Sequence, residues 1–138
     1  MIHQQEISLH TQGRSSHEIT NSIQNLVSNS QLSNGLCNLF IQHTSASLII
    51  SENADPDVHR DLELILARLA PDNDPQYAHT IEGPDDMAAH IRSVLTQTSL
   101  SIPIANNSLC MGTWQGIYLW EHRYQPHHRR IMVTLVGD

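Results

Sequence analysis

The ten histidines, seven arginines and complete lack of lysine limit the chemistry open to this chain. Without lysine, Schiff-base chemistry and lysine-bound pyridoxal phosphate are excluded. A phosphate group must then be bound by arginine, by backbone N–H groups or by a metal ion. The net charge of −7 argues against general binding to nucleic acid or acidic membranes, which requires a basic face. An acidic, histidine-rich chain favours metal or proton-transfer chemistry.

The most suggestive spacing joins an aspartate to a histidine. Asp86 and His90 are four residues apart in a predicted helix, where an aspartate can orient the imidazole ring and fix its tautomer. His79 lies in the preceding loop and can approach His90 in space. The alternative is an ordinary surface pair, because no His-Glu-x-x-His or Cys-x-x-Cys pattern is present.

A polar segment between two predicted strands, Gln42–Ser47, is a second candidate. The hydroxyl and backbone N–H groups of Thr44 and Ser45 can form a small anion cradle, with His43 at its rim. The alternative is a polar turn that joins two strands. A serine–histidine catalytic pair is disfavoured, because the nucleophile-elbow pattern Gly-x-Ser-x-Gly is absent.

Further candidates lie at a helix start and a strand end. Asp57 and Asp61 occupy one flank of a predicted helix and offer oxygen ligands of the kind that suit Mg²⁺, although a solvated acidic edge is the usual meaning of such pairs. Arg123 ends a strand on the same side as Glu121, either as a site residue or as part of a cross-strand ion pair. Trp114 lies in a glycine-bounded loop, where it either flanks a planar ligand or caps the core.

The elements that position these residues predict a single α+β domain over residues 1–138. Helices are expected near Ile19–Val27, from Asp55 to Pro71 and from Gly83 to Leu95. About seven strands form a mostly antiparallel sheet covered by the three helices. The predicted strands are Ile2–Leu9, Leu36–Gln42, Ala46–Ser51, Ser99–Ala105, Ile117–Arg123, Arg130–Val136 and a short one at Leu109–Met111.

The apolar runs of the sequence bear on its location. None approaches the roughly 18 residues of a membrane helix, and Met1–Glu6 lacks the basic and apolar regions of a signal peptide. The two cysteines lie in apolar segments, which favours buried thiols over a disulfide. We therefore expect a soluble cytoplasmic protein that binds neither nucleic acid nor membrane.

Several longer blocks resemble the YjbQ-like family of small conserved proteins. The resemblance covers about Leu39 to Val136 and is carried by His43–Leu48, Ser51–Val58, Gly83–Ile91, Leu100–Ile104, Gly112–Leu119 and Glu121–Arg123. It implies an α+β homotrimer with sites near subunit boundaries. It also implies a secondary thiamine-phosphate synthase activity, in which an aminopyrimidine methyl diphosphate is joined to a thiazole phosphate and diphosphate is released.

The resemblance also implies roles for individual residues. A divalent metal ion, Mg²⁺ or Zn²⁺, is expected at His43, His79 and His90, with Asp57 and Asp61 as weaker candidate ligands. Catalytic roles are expected for His43, His90 and Arg123, because loss of diphosphate needs charge neutralisation more than a nucleophile. The expected contacts to substrate or phosphate are Thr44, Ser45, Asn53, Trp114 and Arg123.

Two other functions use the same residues. A metal-dependent phosphate-ester hydrolase would use water as the acceptor. A non-catalytic trimer would bind a small phosphorylated metabolite without turnover.

Overall fold

Alternation of apolar and polar residues favours β-strands, and the computed structural model of residues 1–138 arranges eight of them in two antiparallel sheets. The larger sheet has the order β1-β8-β3-β5-β6 and the smaller one β2-β7-β4. The strands are β1 Ile2–His10, β2 Ser15–Glu18, β3 Asn34–Ile41, β4 Ala46–Glu52, β5 Ser99–Ala105, β6 Ser108–Leu109, β7 Gln115–Glu121 and β8 His128–Gly137. The helices are α1 Thr20–Ser30, α2 Pro56–Leu69 and α3 Asp86–Leu95. The predicted α+β class is confirmed.

A single core of 17 buried residues lies between the two sheets and α1. The larger sheet contributes alternate residues of β3, β5 and β8, such as Leu39, Ile102 and Val133. The smaller sheet contributes Leu48 and Leu119. Each fully buried aliphatic side chain of this size stabilises the fold by about 1.5–3 kcal/mol.

The opposite face of β7 is covered by α2 and α3. Because side chains alternate along a strand, Ile117 and Leu119 enter the core while Trp120 points the other way. There the Trp120 indole N–H donates to the Glu63 carboxylate of α2. Glu63 also forms an ion pair with Arg92 of α3, which is fully buried. The two helices are thus attached to the smaller sheet largely through polar contacts.

The starts of α2 and α3 follow their sequences. The Asp55 carboxylate accepts the Asp57 N–H at 2.9 Å, and Pro56 occupies the first turn of α2. Asp85 precedes α3 but does not cap it. Its carboxylate instead accepts the Tyr124 N–H at 2.9 Å and a hydrogen bond from Arg123, so it joins the helix start to the end of β7.

The sequence pattern gives α2 one apolar stripe, but this stripe does not form a buried face. Of Val58, Leu62, Ile65, Leu66 and Leu69, only Leu66 is buried, and Leu69 is 62% exposed. The helix turns His59 and Glu63 toward the sheet, where they find hydrogen-bond partners, and so its apolar stripe faces outward.

The sequence pattern predicts that Met87, Ile91, Val94 and Leu95 form the buried face of α3. This prediction is wrong at the end of the helix, where Val94 is 83% exposed. Small residues allow α3 to lie close to the smaller sheet, and its buried side chains are instead Ala88, Ala89, Arg92 and Ser93 together with Asp86. Strand β2 was not predicted, because its residues Ser-Ser-His-Glu lack an apolar alternation. No helix is both long and apolar enough to cross a membrane.

Candidate functional site

Two histidines converge on one carboxylate oxygen at the start of α3. His79 Nε2 lies 2.7 Å and His90 Nε2 lies 3.0 Å from Asp86 Oδ2. The loop before α3 brings His79 to the helix, and the i, i+4 spacing stacks His90 above Asp86. The two imidazole rings are 5.3 Å apart, so the expected approach of His79 to His90 is confirmed.

These three side chains fit a divalent metal ion. One ligand atom from each lies within 4.8 Å of the other two. Two imidazoles and one carboxylate are a donor set that Zn²⁺ and Fe²⁺ accept, and three protein ligands leave coordination positions for water or substrate. The Asp86 side chain is 7% exposed, whereas those of His79 and His90 are 39% and 32% exposed. The centre is therefore anchored on the protein side and open to solvent on the other.

Hydrogen bonding orients the His90 ring. His90 Nδ1 lies 3.1 Å from the carbonyl oxygen of Thr44, and because a carbonyl can only accept, Nδ1 carries a hydrogen. Nε2 of the same ring is therefore turned toward Asp86 Oδ2, 3.0 Å away.

Arg123 binds the Asp86 carboxylate oxygen that does not face the two histidines. Its Nη1 donates to Asp86 Oδ1 at 2.7 Å, its Nε donates to Asp85 at 3.0 Å, and its Nη2 donates to the Glu82 carbonyl at 2.8 Å. Desolvation raises the pKa of Asp86, but the His79 hydrogen bond and the charges of His90 and Arg123 outweigh it and hold that pKa below its ordinary value. The expected contact of Arg123 with phosphate is replaced here by contacts with carboxylates.

His43 does not join the other two histidines. Its Nε2 accepts the Arg130 N–H at 2.8 Å, so the lone pair of that nitrogen is occupied and Nδ1 carries the hydrogen of the neutral ring. Burial and then the charges of Arg129 and Arg130 lower its pKa, which favours this neutral form. Neither nitrogen offers a free lone pair to a metal, and Asp86 takes the place in the ligand set that was predicted for His43.

The predicted anion cradle has a structural use. The Thr44 carbonyl orients His90, and the buried Ser45 hydroxyl accepts a hydrogen bond from Arg129 at 2.9 Å. Arg129 also pairs with the fully buried Glu121, which was considered as a partner for Arg123. The charges near Ser45 are therefore already compensated within the chain.

Ser47 and His122 form a hydrogen bond, but the histidine donates in it, whereas a catalytic pair requires the histidine to accept. Arg92 Nε donates to His122 Nδ1 at 3.0 Å, so the hydrogen of the neutral ring lies on Nε2, which donates to Ser47 Oγ at 2.8 Å. Burial and then the charges of Arg92, Arg14 and Arg129 lower the pKa of His122 to about 2. His122 cannot take a proton from Ser47 in this arrangement, and the low expectation of serine hydrolysis agrees with the geometry.

The remaining predicted residues lie away from the three-residue centre at His79, Asp86 and His90. Asn53 Nδ2 donates to the Thr113 carbonyl, and the Asn53 N–H donates to the carbonyl of Trp114, whose side chain is 64% exposed. These residues lie beside Glu52, where β4 ends. The candidate centre lies near Ala46, where β4 begins. Asp57 and Asp61 are exposed on α2, where Asp57 lies 3.6 Å from Arg60. The structure does not bring either aspartate to the three-residue centre.

A cleft of about 210 Å³ adjoins the centre on the His79 side. Its wall comes from the loop between α2 and α3, and the residues that line it are Asn73, Asp74, Tyr77, His79, Thr80, Gly83 and Pro84. It offers space for a small polar ligand beside one of the candidate metal ligands. No pattern in the sequence marked this cleft, because its walls come from a loop without periodicity.

Comparison with known proteins gives the family. Residues 5–138 match the model of the family described as "UPF0047 protein YjbQ-like". The chain belongs to the YjbQ-like UPF0047 family. A UPF0047 protein of Synechocystis is 52% identical over 136 residues, which cover 99% of this chain and 92% of that protein. The YjbQ protein of Escherichia coli O157:H7 is 43% identical over 139 residues and is matched over the full length of both chains.

Solved structures of the YjbQ-like family share the fold. A crystal structure of a family member from Clostridium acetobutylicum has a TM-score of 0.87 at 39% identity and covers 95% of this chain and 98% of that one. A YbjQ-like protein from Sulfolobus solfataricus has the same TM-score at 20% identity over all of both chains, which supports the fold alone. The resemblance inferred from the sequence blocks is confirmed.

Proposed function

We propose that this YjbQ-like protein is a metal-dependent transferase of the secondary thiamine-phosphate synthase type. It would join an aminopyrimidine methyl diphosphate to a thiazole phosphate with release of diphosphate. The observation that supports metal dependence is the convergence of His79, Asp86 and His90 on one point with an open side. The choice of reaction rests on the sequence blocks shared with the family.

The residues around the centre suit a reaction that expels diphosphate. A divalent ion bound there would neutralise charge on the leaving group. Arg123 acts as a positioning residue, because it holds Asp86 Oδ1 and so fixes the carboxylate that faces the two histidines. The Thr44 carbonyl fixes the ring of His90 in the same way. His43, neutral and carrying a hydrogen on Nδ1, is a candidate donor to a phosphate oxygen.

The test is a product assay with the two heterocyclic substrates and Mg²⁺, Mn²⁺ or Zn²⁺. Chromatography with mass detection separates the coupled thiazolium product from free phosphate. Coupled product that disappears in His90→Ala supports the transferase, with His17→Ala as a control at a histidine on the separate strand β2. Free phosphate alone identifies the hydrolase, and ligand binding without turnover identifies the binding protein; either result overturns the transferase.

We further propose that the chain assembles as a homotrimer in the cytoplasm. Support for assembly comes from α2, whose apolar residues Leu62, Ile65 and Leu69 face outward although its polar residues face the sheet. The outer face of the larger sheet also exposes Leu36, Phe40 and Val136. Two different apolar surfaces on one chain suit a head-to-tail interface, which forms a ring when its rotation closes. Two free cysteines suit a reducing compartment.

A further inference from the structure

Two histidines form a second cluster where β1 ends and β8 begins. His10 ends β1 and His128 begins β8, and the two residues are directly opposite each other in the antiparallel pair. Their side chains therefore emerge on the same face of the sheet. The rings stack with centroids 4.2 Å apart and planes inclined by 29°, and both residues are exposed.

The ring nitrogens of this pair have no partner within the protein. Most other histidines of the chain make a hydrogen bond through at least one ring nitrogen, as His59 does to the Glu52 carbonyl at 2.8 Å. Neither His10 nor His128 makes one, so the pair keeps its lone pairs available.

We propose that His10 and His128 form a surface site for a divalent transition-metal ion, separate from the centre at His79, Asp86 and His90. One nitrogen from each ring would bind the ion, and water would complete its coordination. Imidazole is a preferred ligand of Zn²⁺, Ni²⁺ and Cu²⁺. At metal–nitrogen distances of about 2.0–2.1 Å, two neighbouring imidazole nitrogens on one ion are about 3 Å apart. To bind one ion, the two rings must turn from the stacked arrangement until the in-plane lone pair of one nitrogen from each ring points to the same position.

The backbone prepares this pair for binding. Both residues belong to a continuous ladder in which nine residues of β1 are paired with β8. Their Cα positions are therefore fixed before the metal arrives, and binding costs the ordering of only two short side chains. A second imidazole held at high effective concentration strengthens binding over a single surface histidine.

The experiment is a calorimetric titration of the wild-type chain with Zn²⁺ at pH 7.5. Single variants then assign each bound equivalent. Each of the variants His10→Gln and His128→Gln is expected to remove the same single bound equivalent of Zn²⁺, or to weaken its affinity about ten-fold or more. His3→Gln is the matched control, because His3 is exposed on the same strand but lies opposite Leu135. It should leave the titration unchanged.

The outcomes separate this site from the proposed catalytic centre. His90→Ala should leave the His10–His128 equivalent intact, whether or not the transferase proposal survives. The proposal is overturned if neither glutamine variant changes the titration. It is also overturned if only one of them does, because the ion is then held by a single histidine. Unchanged melting temperatures in both variants show that the fold is intact, as expected for exposed side chains.

Discussion

Asp86 is the residue on which the geometry of the candidate centre depends. One of its oxygens faces two histidines and the other is held by Arg123, so the carboxylate links the ligands to their support. In this position the charge of the carboxylate matters as much as its shape. An amide of the same size would keep the volume but present an N–H or a neutral oxygen to the histidines.

We therefore expect Asp86→Asn to weaken metal binding by about 100-fold or more, since it removes one of three ligands and its charge. Zn²⁺ titration followed by calorimetry measures the change. Asp57→Asn is the matched control, because Asp57 is exposed on α2 and lies outside the centre. Equal affinities in the two variants would remove Asp86 from the ligand set.

Arg123→Lys tests the support behind Asp86. Lysine keeps the charge but cannot contact Asp85, Asp86 and the Glu82 carbonyl at once, because it lacks the planar fork of guanidinium. We expect a loss of about 1–3 kcal/mol in the free energy of unfolding, together with weaker metal binding.

Urea unfolding and metal titration on the same protein measure both effects of Arg123→Lys. Arg130→Lys is the control, because the Arg130 side chain is half exposed and its one ion pair, with Glu6, is long at 3.6 Å. The resemblance to the family predicts that Arg123 contacts phosphate. An Arg123→Lys variant with full stability and full metal affinity but weak phosphate binding would support that prediction.

Acid should destabilise the protein through its paired carboxylates. Burial raises the pKa of Glu121, but the Arg129 and Thr11 hydrogen bonds outweigh it and the pKa is lowered; the pKa of Asp85 is lowered in the same way by Tyr124 and Arg123. A folded pKa below the unfolded one gives stability that is present above about pH 4, the ordinary carboxyl range, and is lost as the pH falls through the folded pKa. Urea unfolding between pH 7 and pH 3 should show this decline, and a constant or rising free energy of unfolding would contradict it.

At the scale of elements, the sequence predicts strands better than it predicts helix faces. Alternation in β3, β4 and β7 is a local signal, and these strands lie close to their predicted bounds. The faces of α2 could not be predicted, because its apolar stripe turns away from the core while Glu63 reaches Arg92 and Trp120. Arg92 and Trp120 are 29 and 57 residues away from Glu63 along the chain. A polar contact over that distance leaves no periodic pattern in the sequence.

Long-range contacts also limit how much of the candidate site the sequence predicts. The spacing of Asp86 and His90 was visible, and the loop position of His79 made its approach plausible. The replacement of His43 by Asp86 in the ligand set was not visible, because it depends on the Arg130 N–H of a strand that is far away in sequence. Sequence blocks identified the right region but not the direction in which each side chain points.

Glu63→Gln tests whether the polar contact attaches α2. The change leaves the fully buried Arg92 without its carboxylate partner. Breaking a buried pair from one side costs about 3–5 kcal/mol, and we expect about 3 kcal/mol because Glu63 is one-third exposed. Urea unfolding measures the loss, and Glu6→Gln, at a longer and exposed ion pair, should change stability little. A loss no larger than that of the control would show that Glu63 does not hold the helix.

At the scale of the whole molecule, the outward apolar side of α2 has no use in a single chain. Leu62, Ile65 and Leu69 are all at least 36% exposed and share one side of α2. Isolated apolar residues are common on protein surfaces, whereas several on one side of a helix are the kind of surface that the proposed assembly would bury. The polar contacts of the inner side mean that the helix cannot simply rotate to bury this patch.

Ile65→Asp tests the proposed trimer at this surface. Because Ile65 is 46% exposed in the single chain, a charge there should cost the monomer little stability. In an assembly that buries α2, the same charge would lie unpaired in an apolar interface, and the trimer should dissociate at micromolar concentration. Sedimentation velocity gives the mass, and Asn21→Asp on α1 is the control for an added charge at an exposed position. If the wild-type protein is a monomer, the trimer proposal is wrong. If the wild-type protein and Ile65→Asp are both trimers, the interface lies away from α2, on the remaining apolar surface around Leu36 and Phe40.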